Sequence, residues 1–294
     1  MKSRTAFAIT VTALTTGCVL LSGAGDLTID PGDGGERGGK DTGPGTTDAG
    51  SGGTDAPVTP GDSGSETGNG ADSAACVCDG FVSAYRFDTP LQPGHDAFGR
   101  NDMTVVHGTP KTSTTTPPGL TGTSLDLDGS SSVCIETGFT FDASKDHTLC
   151  WWANPSALAD QKNQFAQTCT YDTWTSNSGA NYLWRINNCN SGTAANLEVP
   201  SVYAVGQWTQ ICQTYQAGAR KRSVVINGNV AKKISVTDES AIPTSTEPWC
   251  IGAYGGEGPG GFWPGLIYLP MWFDRVLDDS DLAQISTKTC CLPR

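Results

Sequence analysis

The chain has 294 residues and a formal net charge of −12, and its 37 glycines and 17 prolines are unevenly distributed. The negative charge argues against a nucleic-acid partner, because binding to phosphates requires clustered basic residues. The basic run at residues 220–222 precedes a β-branched segment, and we interpret it as a solvated hairpin turn.

Residues 1–22 predict an export signal. Lys2 and Arg4 precede an apolar segment, residues 5–14, that is too short to span a bilayer. Residues 14–18 resemble a bacterial lipobox, except that Thr15 stands where leucine is usual, and cleavage there would leave a lipidated Cys18. The alternative is signal-peptidase cleavage after residue 24, which gives a secreted or periplasmic protein. The first cleavage predicts a lipoprotein of the outer membrane or cell surface.

Residues 23–75 predict a disordered linker. They contain 16 glycines and ten acidic but only two basic residues, with almost no large apolar side chain after Ile29. Such a segment cannot bury enough apolar surface to offset the entropy of ordering its backbone. As a glycine-rich coil it would reach about 40 Å, enough to hold a domain away from a membrane surface.

Residues 76–294 predict one all-β domain organised around an apolar strand at 147–155 and a partner strand at 208–215. In strict alternation Cys150 and Trp152 share one face of the first strand, and Trp208, Gln210 and Cys212 share one face of the second. Further short strands are separated by glycine and proline turns, and only residues 278–286 have a helical pattern. This organisation predicts a two-sheet antiparallel β-sandwich or jelly roll with one short C-terminal helix.

Ten cysteines remain when Cys18 is set aside, an even number that predicts up to five disulfides in an exported protein. The mid-strand positions of Cys150 and Cys212 suit a bridge between neighbouring strands. Zinc is the alternative for the close pairs 76/78 and 290/291, although these pairs lack the two-residue gap of zinc ribbons and no histidine lies near them.

The order of several segments resembles a laminin-G-like, concanavalin A-like jelly roll, and in particular its pentraxin-related branch. The segments are AYRFD (84–88), DAFGRND (96–102), LDLDG (125–129), TLCWWANP (148–155), WTQICQTY (208–215), VVINGNV (224–230), CIGAY (250–254) and GLIYLPMWFDRVLDDSDL (265–282). The pentraxin double calcium site is not expected, because residues 255–261 offer only Glu257 as a ligand and Tyr268 occupies a usually acidic position.

The resemblance also implies disulfide pairings. The pentraxin disulfide joins the two strands that here hold Cys150 and Cys212. The first and last strands of such sandwiches lie together, so we expect the terminal cysteines to bridge one another. With Cys169 and Cys189 stapling the insertion between them, Cys134 and Cys250 are then left to pair by elimination. The terminal cysteines are Cys76, Cys78, Cys290 and Cys291.

Catalysis is not predicted. The same jelly roll hosts laminarinase-type glycosidases, which carry paired carboxylates on one strand. Here the glutamates at 136, 239, 247 and 257 are each solitary, and neither a nucleophile-elbow motif nor a zinc-protease helix motif occurs.

The insertion between Cys169 and Cys189 is the main candidate for binding. We expect Tyr171, Asp172, Trp174 and Trp184 to form an exposed platform for a glycan or glycoprotein, because aromatic rings stack on sugars while carboxylates and amides bind their hydroxyls. The alternative is a disulfide-stapled hairpin whose aromatic residues pack inside the domain. The loop from Tyr254 to Trp263 is a second candidate.

A structural calcium ion is a further expectation, with Asp96, Asp126 and Asp128 as its ligands. Turns capped by their own aspartates are the alternative. The sequence as a whole predicts an exported, membrane-anchored, non-catalytic module that binds carbohydrate, with a structural or protein-adhesion module of the cell surface as the alternative.

Overall fold

The computed structural model describes residues 79–89, 92–135, 139, 142–167, 170–188, 193–254 and 261–287. The predicted export signal, the lipidation site Cys18 and the linker lie outside these residues. So do six further cysteines, at 76, 78, 169, 189, 290 and 291. Among the described residues, no helix is long and apolar enough to span a membrane.

Within the described residues, fifteen strands form two antiparallel sheets, which confirms the predicted all-β sandwich. In chain order the elements are β1 (Phe81–Ala84), β2 (Thr104–His107), β3 (Lys111–Ser113), β4 (Ser124–Asp128), β5 (Ser132–Ile135), β6 (His147–Pro155), β7 (Phe165–Gln167), β8 (Tyr171–Ser176), β9 (Asn181–Asn188), β10 (Thr193–Val199), β11 (Thr209–Gln216), β12 (Lys221–Ile226), a 3-10 helix (Val230–Lys232), β13 (Ile234–Thr237), β14 (Trp249–Ile251), β15 (Pro264–Phe273) and α1 (Asp279–Ile285).

The two sheets differ in strand order. The larger sheet runs β13-β12-β11-β6-β15-β4-β3, with β1 added alongside β15, and the smaller sheet runs β10-β9-β8-β7-β14-β5-β2. The predicted partner strands β6 and β11 are neighbours in the larger sheet. Strands β8, β9 and β10 follow one another as a meander and end the smaller sheet at the β10 edge.

Strand β6 lies between β11 and β15, and every one of its residues except Trp152 is buried. Its inner face contributes Trp151 to the core between the sheets, where the indole packs against the Phe165 ring with centroids 4.6 Å apart. Its outer face contributes Cys150 to a second apolar cluster beneath helix α1. Coverage on both faces explains why the sequence of β6 is an almost continuous apolar run.

Helix α1 covers part of the outer face of the larger sheet. The side chain of Asp278 caps the helix by accepting a hydrogen bond from the backbone N–H of Asp281 at 2.8 Å. Leu282 and Ile285 are buried against the sheet, so the predicted cap and apolar stripe are both present.

Both disulfides predicted within the described residues are present. Cys150 is bonded to Cys212, and Cys134 is bonded to Cys250. In each case the two cysteines are directly paired across neighbouring strands, β6 with β11 and β5 with β14. One bridge therefore reinforces each sheet from within.

The interpretation of residues 220–222 as a solvated turn is wrong for Arg222. Its side chain is fully buried on β12, while Arg220 and Lys221 are exposed. The guanidinium donates to both carboxylate oxygens of Asp238, with Nε–Oδ2 at 2.7 Å and Nη2–Oδ1 at 2.6 Å. The charge is buried because a partner supplied by a later segment neutralises it.

Candidate ligand-binding site

Residues 171–188 form two strands of the smaller sheet, so side chains from this segment alternate between the two faces. Tyr171 and Trp184 point into the sandwich, where both are fully buried and their ring centroids lie 5.3 Å apart. The expectation that these two residues are exposed on a platform is therefore wrong. The alternative, a hairpin whose aromatic residues pack inside the domain, describes them correctly.

The outer face of the same strands carries the other two predicted residues, but Asp172 is fully buried there, so the expectation of an exposed platform is wrong for it too and only Trp174 is partly exposed. On β8, Asp172 and Trp174 point away from the core, and β9 pairs Arg185 and Leu183 with them. Strand β10 places Asn196 and Glu198 next in the same rows. We call this surface the β8–β10 face, and it consists of Asp172, Trp174, Leu183, Arg185, Asn196 and Glu198.

Arg185 lies over the ring of Trp174, with its guanidinium carbon 4.5 Å from the ring centroid. This is a cation–π arrangement, which holds the planar guanidinium against the indole. The Arg185 side chain is 24% exposed, and its buried Nε has no hydrogen-bond partner among the described residues. A stacked guanidinium with unused N–H donors is suited to bind a ligand oxygen.

Asp172 lies beside Arg185 and forms the floor of the face. Its Oδ2 is 3.5 Å from the Arg185 Nε, and neither carboxylate oxygen accepts a hydrogen bond from the described residues. Burial raises the pKa of Asp172 to about 7, although the nearby Arg185 charge acts in the opposite direction. Asp172 thus holds Arg185 in place as a weak counter-ion rather than as a bidentate partner.

Glu198 borders the face on the exposed side. Its Oε1 accepts hydrogen bonds from the Asn181 amide at 2.8 Å and the Ser176 hydroxyl at 2.5 Å. These bonds lower the pKa of Glu198, so its carboxylate stays charged and fixed. The face therefore combines a half-buried indole, cationic donors and anionic acceptors, which is the mixture of groups that binds polyhydroxylated ligands.

Four residues of this face were missed from sequence: Leu183, Arg185, Asn196 and Glu198. The Asn177 and Ser178 backbones both have positive φ at the turn between β8 and β9, which fixes the register that brings these residues beside Trp174. The sequence did contain a usable signal. A turn at 177–180 between two strands of alternating residues predicts that Asp172 is paired with Arg185.

The second candidate, Tyr254 to Trp263, is only partly supported by the structure. Trp263 is buried and packs against Tyr203, with ring centroids 5.4 Å apart, so its expected role in ligand contact is wrong. Tyr254 is half-buried. Residues 255–260 between them lie outside the described residues.

The three aspartates proposed for calcium do not form a metal site. Both carboxylate oxygens of Asp96 accept from backbone N–H groups, namely those of Ala84, Phe98, Arg100 and Asn101 at 3.0–3.2 Å. Asp128 accepts from Ser130 and Ser131, which makes it a self-capped turn. Among the described residues, Asp126 joins neither of them in a group of potential metal ligands.

The family model for the concanavalin A-like lectin/glucanases superfamily matches residues 127–283, more than half of the chain. The chain belongs to this superfamily. The match begins in β4 and ends in α1, and it contains all residues of the β8–β10 face. No curated protein is detectably similar in sequence.

Two solved structures illustrate the shared fold. Domain 4 of AbnA, a GH43 extracellular arabinanase from Geobacillus stearothermophilus, in complex with arabinotriose, is 18% identical, with a TM-score of 0.54 over 70% of this chain and 98% of that one. The botulinum neurotoxin serotype D binding domain is 11% identical, with a TM-score of 0.54 over 71% of the present chain and 51% of the toxin domain. The chain thus spans about half the length of that toxin domain.

Proposed function

We propose that this protein is a non-catalytic module that binds carbohydrate through the β8–β10 face. The observation that carries the proposal is the pair formed by Trp174 and Arg185: a half-buried indole with a guanidinium stacked on it at 4.5 Å. The buried Nε of Arg185 has no hydrogen-bond partner among the described residues. Sugar ring CH groups would pack beside the indole while sugar hydroxyls accept from Arg185.

Two further features support a polyhydroxylated ligand. Glu198 and Asn196 are exposed on β10, one strand beyond Leu183 and Arg185, and supply acceptors and amide donors. Site groups on strands cost little ordering entropy on binding, because the backbone is already fixed. The arabinanase domain of the same fold was solved with arabinotriose, which makes a neutral trisaccharide a reasonable first probe.

The proposed function includes export, with the protein attached to the outer membrane or cell surface by a lipid on Cys18. The basic start, the short apolar segment and the Gly17-Cys18 sequence support it. The glycine-rich residues 23–75 would then act as a spacer between the membrane and the binding domain.

The proposal is tested by applying the purified protein to an array of neutral and acidic oligosaccharides and measuring positive compounds by calorimetry. Trp174→Ala and Arg185→Ala should each weaken binding at least fivefold. Trp174→Ala should change the melting temperature little, because Trp174 lies on the outer face, whereas Arg185→Ala also removes the counter-ion of the buried Asp172 and should lower it. Arg100→Ala is the matched control, since Arg100 also lies over an aromatic ring, that of Phe98, at 5.9 Å. If no oligosaccharide binds, or if Trp174→Ala lowers the melting temperature without affecting binding, the proposal is wrong.

A further inference from the structure

The outer face of the larger sheet carries a second group of aromatic and amide side chains, beside the part that helix α1 covers. Trp152 is the one residue of β6 that is not buried, and Trp208, which immediately precedes β11, is also half-buried. Both indoles border the apolar cluster under α1 without being enclosed by it. The sequence alternation that placed Trp152 with Cys150, and Trp208 with Cys212, describes this face.

Strand pairing brings these residues together. Trp152 is paired with Gln210 on one side and with Tyr268 on the other. Trp208 lies two residues before Gln210 on the same face, so it is a diagonal neighbour of Trp152, a relation in which residues are about 7–8 Å apart and aromatic side chains can act together. We call this surface the Trp152–Trp208 face, and it consists of Trp152, Asn154, Trp208, Gln210 and Tyr268.

The orientation of the Trp208 ring is fixed by Tyr268, which lies beneath it. Tyr268 is buried, and its hydroxyl donates to the backbone carbonyl of Thr121 at 2.9 Å. Trp208 packs edge-on against Tyr268, with ring centroids 6.3 Å apart and an interplanar angle of 75°. A tyrosine anchored in this way holds Trp208 in one position, which lowers the entropic cost of stacking a ligand on it.

The amide of Gln210 on this face has no hydrogen-bond partner among the described residues. The Gln210 side chain is fully buried, and neither its Oε1 nor its Nε2 has a hydrogen-bond partner among the described residues. Its backbone N–H, by contrast, donates to the Asn227 Oδ1 at 2.8 Å. Buried amides with both groups unpaired are rare in proteins, so this one calls for an explanation.

We propose that the Trp152–Trp208 face is a second binding surface, which takes an uncharged saccharide. Two indole rings supply the stacking surface, and the amides of Gln210 and Asn154 supply donors and acceptors for hydroxyls. A small displacement of the half-buried Trp152 indole would open the Gln210 amide to the ligand. The five residues of this face carry no charge, unlike the β8–β10 face with Arg185, Asp172 and Glu198, so the ligand is neutral.

This proposal is independent of the β8–β10 face, because the two surfaces lie on different sheets and share no residue. Each is the outer side of its sheet, so the sandwich would carry one ligand on each side. A module with two such faces could hold two sugar chains at once, and this would raise its apparent affinity for a polysaccharide layer through multivalency.

The test uses the full exported protein with its eight tryptophans replaced by 5-fluorotryptophan, observed by ¹⁹F NMR. Trp152→Phe, Trp208→Phe and Trp174→Phe variants assign the three relevant resonances. The probes are arabinotriose, cellotriose and a trisaccharide of uronic acids. We expect a neutral trisaccharide to shift the Trp152 and Trp208 resonances together with a single dissociation constant, and the uronate to leave them unchanged.

Gln210→Leu provides a sharper variant. It keeps the side-chain volume and removes the unpaired amide, so it should leave the melting temperature equal to or above that of the wild type. We expect it to weaken neutral trisaccharide binding at this face at least fivefold while the Trp174 resonance responds as before. If Gln210→Leu binds normally, Gln210 has no role in the ligand contact and the proposal is overturned.

The remaining outcomes are also decisive. Shifts at Trp174 without shifts at Trp152 and Trp208 would overturn the second surface and leave the proposed function standing. Shifts at Trp152 and Trp208 alone would support the second surface and count against the β8–β10 face. Shifts that depend on protein concentration with no sugar present would overturn the proposal by showing that this face binds a second copy of the chain.

Discussion

Arg222 and Asp238 form a buried ion pair in which the guanidinium donates to both carboxylate oxygens, at 2.7 and 2.6 Å. The same guanidinium donates through Nη1 to the backbone carbonyl of Trp184 at 2.8 Å and lies 5.2 Å from the centre of its ring. Arg222 belongs to the larger sheet and Trp184 to the smaller one. One arginine therefore connects the two layers directly beneath the strand that carries Arg185.

Asp238→Ala should lower the free energy of unfolding by about 3–5 kcal/mol, because it leaves the Arg222 charge buried without its counter-ion. Urea denaturation would measure the change. Lys221→Ala, at the exposed neighbour of Arg222, should change it by no more than about 0.5 kcal/mol. Equal effects of the two substitutions would contradict a structural role for the ion pair.

The raised pKa of Asp172 predicts that stability falls with increasing pH. The folded state binds this proton more tightly than the unfolded state, in which the pKa is near 3.8, so the contribution is lost as pH rises toward and through about 7. Between pH 6.5 and 8 the loss should be about 1 kcal/mol. Asp172→Asn should remove it, as measured by urea denaturation at both pH values.

His147 gives a pH dependence of stability of the opposite sign, and this limits the pH range that is useful for the Asp172 experiment. Burial lowers the pKa of His147 to about 4 from 6.5, so its contribution to stability is lost as pH falls from 6.5 towards 4. At pH 6.5 the imidazole of the unfolded chain is still half protonated, so between pH 6.5 and 8 His147 raises the stability by about 0.4 kcal/mol and partly offsets the loss from Asp172. A pH dependence that persists unchanged in Asp172→Asn between pH 6.5 and 8 would show that Asp172 is not its source.

Each disulfide should stabilise its sheet by restricting the unfolded chain. The Cys150–Cys212 bridge spans 62 residues and the Cys134–Cys250 bridge spans 116. The loop-entropy relation gives about 4 and about 5 kcal/mol respectively. Replacing both cysteines of one bridge by alanine should lower the free energy of unfolding, and the loss should be larger for Cys134–Cys250 than for Cys150–Cys212. Non-reducing peptide mapping checks the pairing itself, and any other partner for these cysteines would contradict it.

Asp96 should be a structural residue rather than a calcium ligand, since its two oxygens accept from four backbone N–H groups. Asp96→Ala leaves these donors without their acceptor and should cost about 1–3 kcal/mol or more. Calcium should not change the melting temperature of the wild type. A calcium-dependent increase that disappears in Asp96→Ala would restore the metal-site hypothesis.

The proposed lipid anchor predicts the mass of the mature protein. Intact mass spectrometry of protein extracted from membranes should give an acylated N-terminus at Cys18, and Cys18→Ala should either release the protein or leave its precursor uncut. A lipid-free chain that starts at residue 25 would instead establish ordinary signal-peptidase cleavage.

The architecture was predictable because local and global patterns agree in the central strands. Alternation in β6 and β11 placed Cys150 and Cys212 mid-strand, and the structure pairs them directly. The burial of Arg222 was not predictable, since it depends on Asp238 and on a carbonyl from the other sheet. The sequence around residue 222 does not indicate either of these partners.

The candidate site was half predictable. The cysteines at 169 and 189 suggested an exposed connection, and this led to Tyr171 and Trp184 being assigned to the surface. The same segment alternates strictly, and the structure uses that alternation to bury both residues while leaving Trp174 outside. Which face of a hairpin is buried depends on the sheet it joins, and only the fold determines that.

The two disulfides are nested, since Cys150–Cys212 lies inside the loop that Cys134–Cys250 closes. Every residue of the β8–β10 face lies between Cys150 and Cys212. A single proteolytic cut anywhere between those two cysteines therefore releases no fragment, because both new ends remain covalently attached. A cut in the turns around Trp174 would thus leave the cleaved strands covalently tethered to the sheet and able to pair again, a protection that would matter under the proposed export.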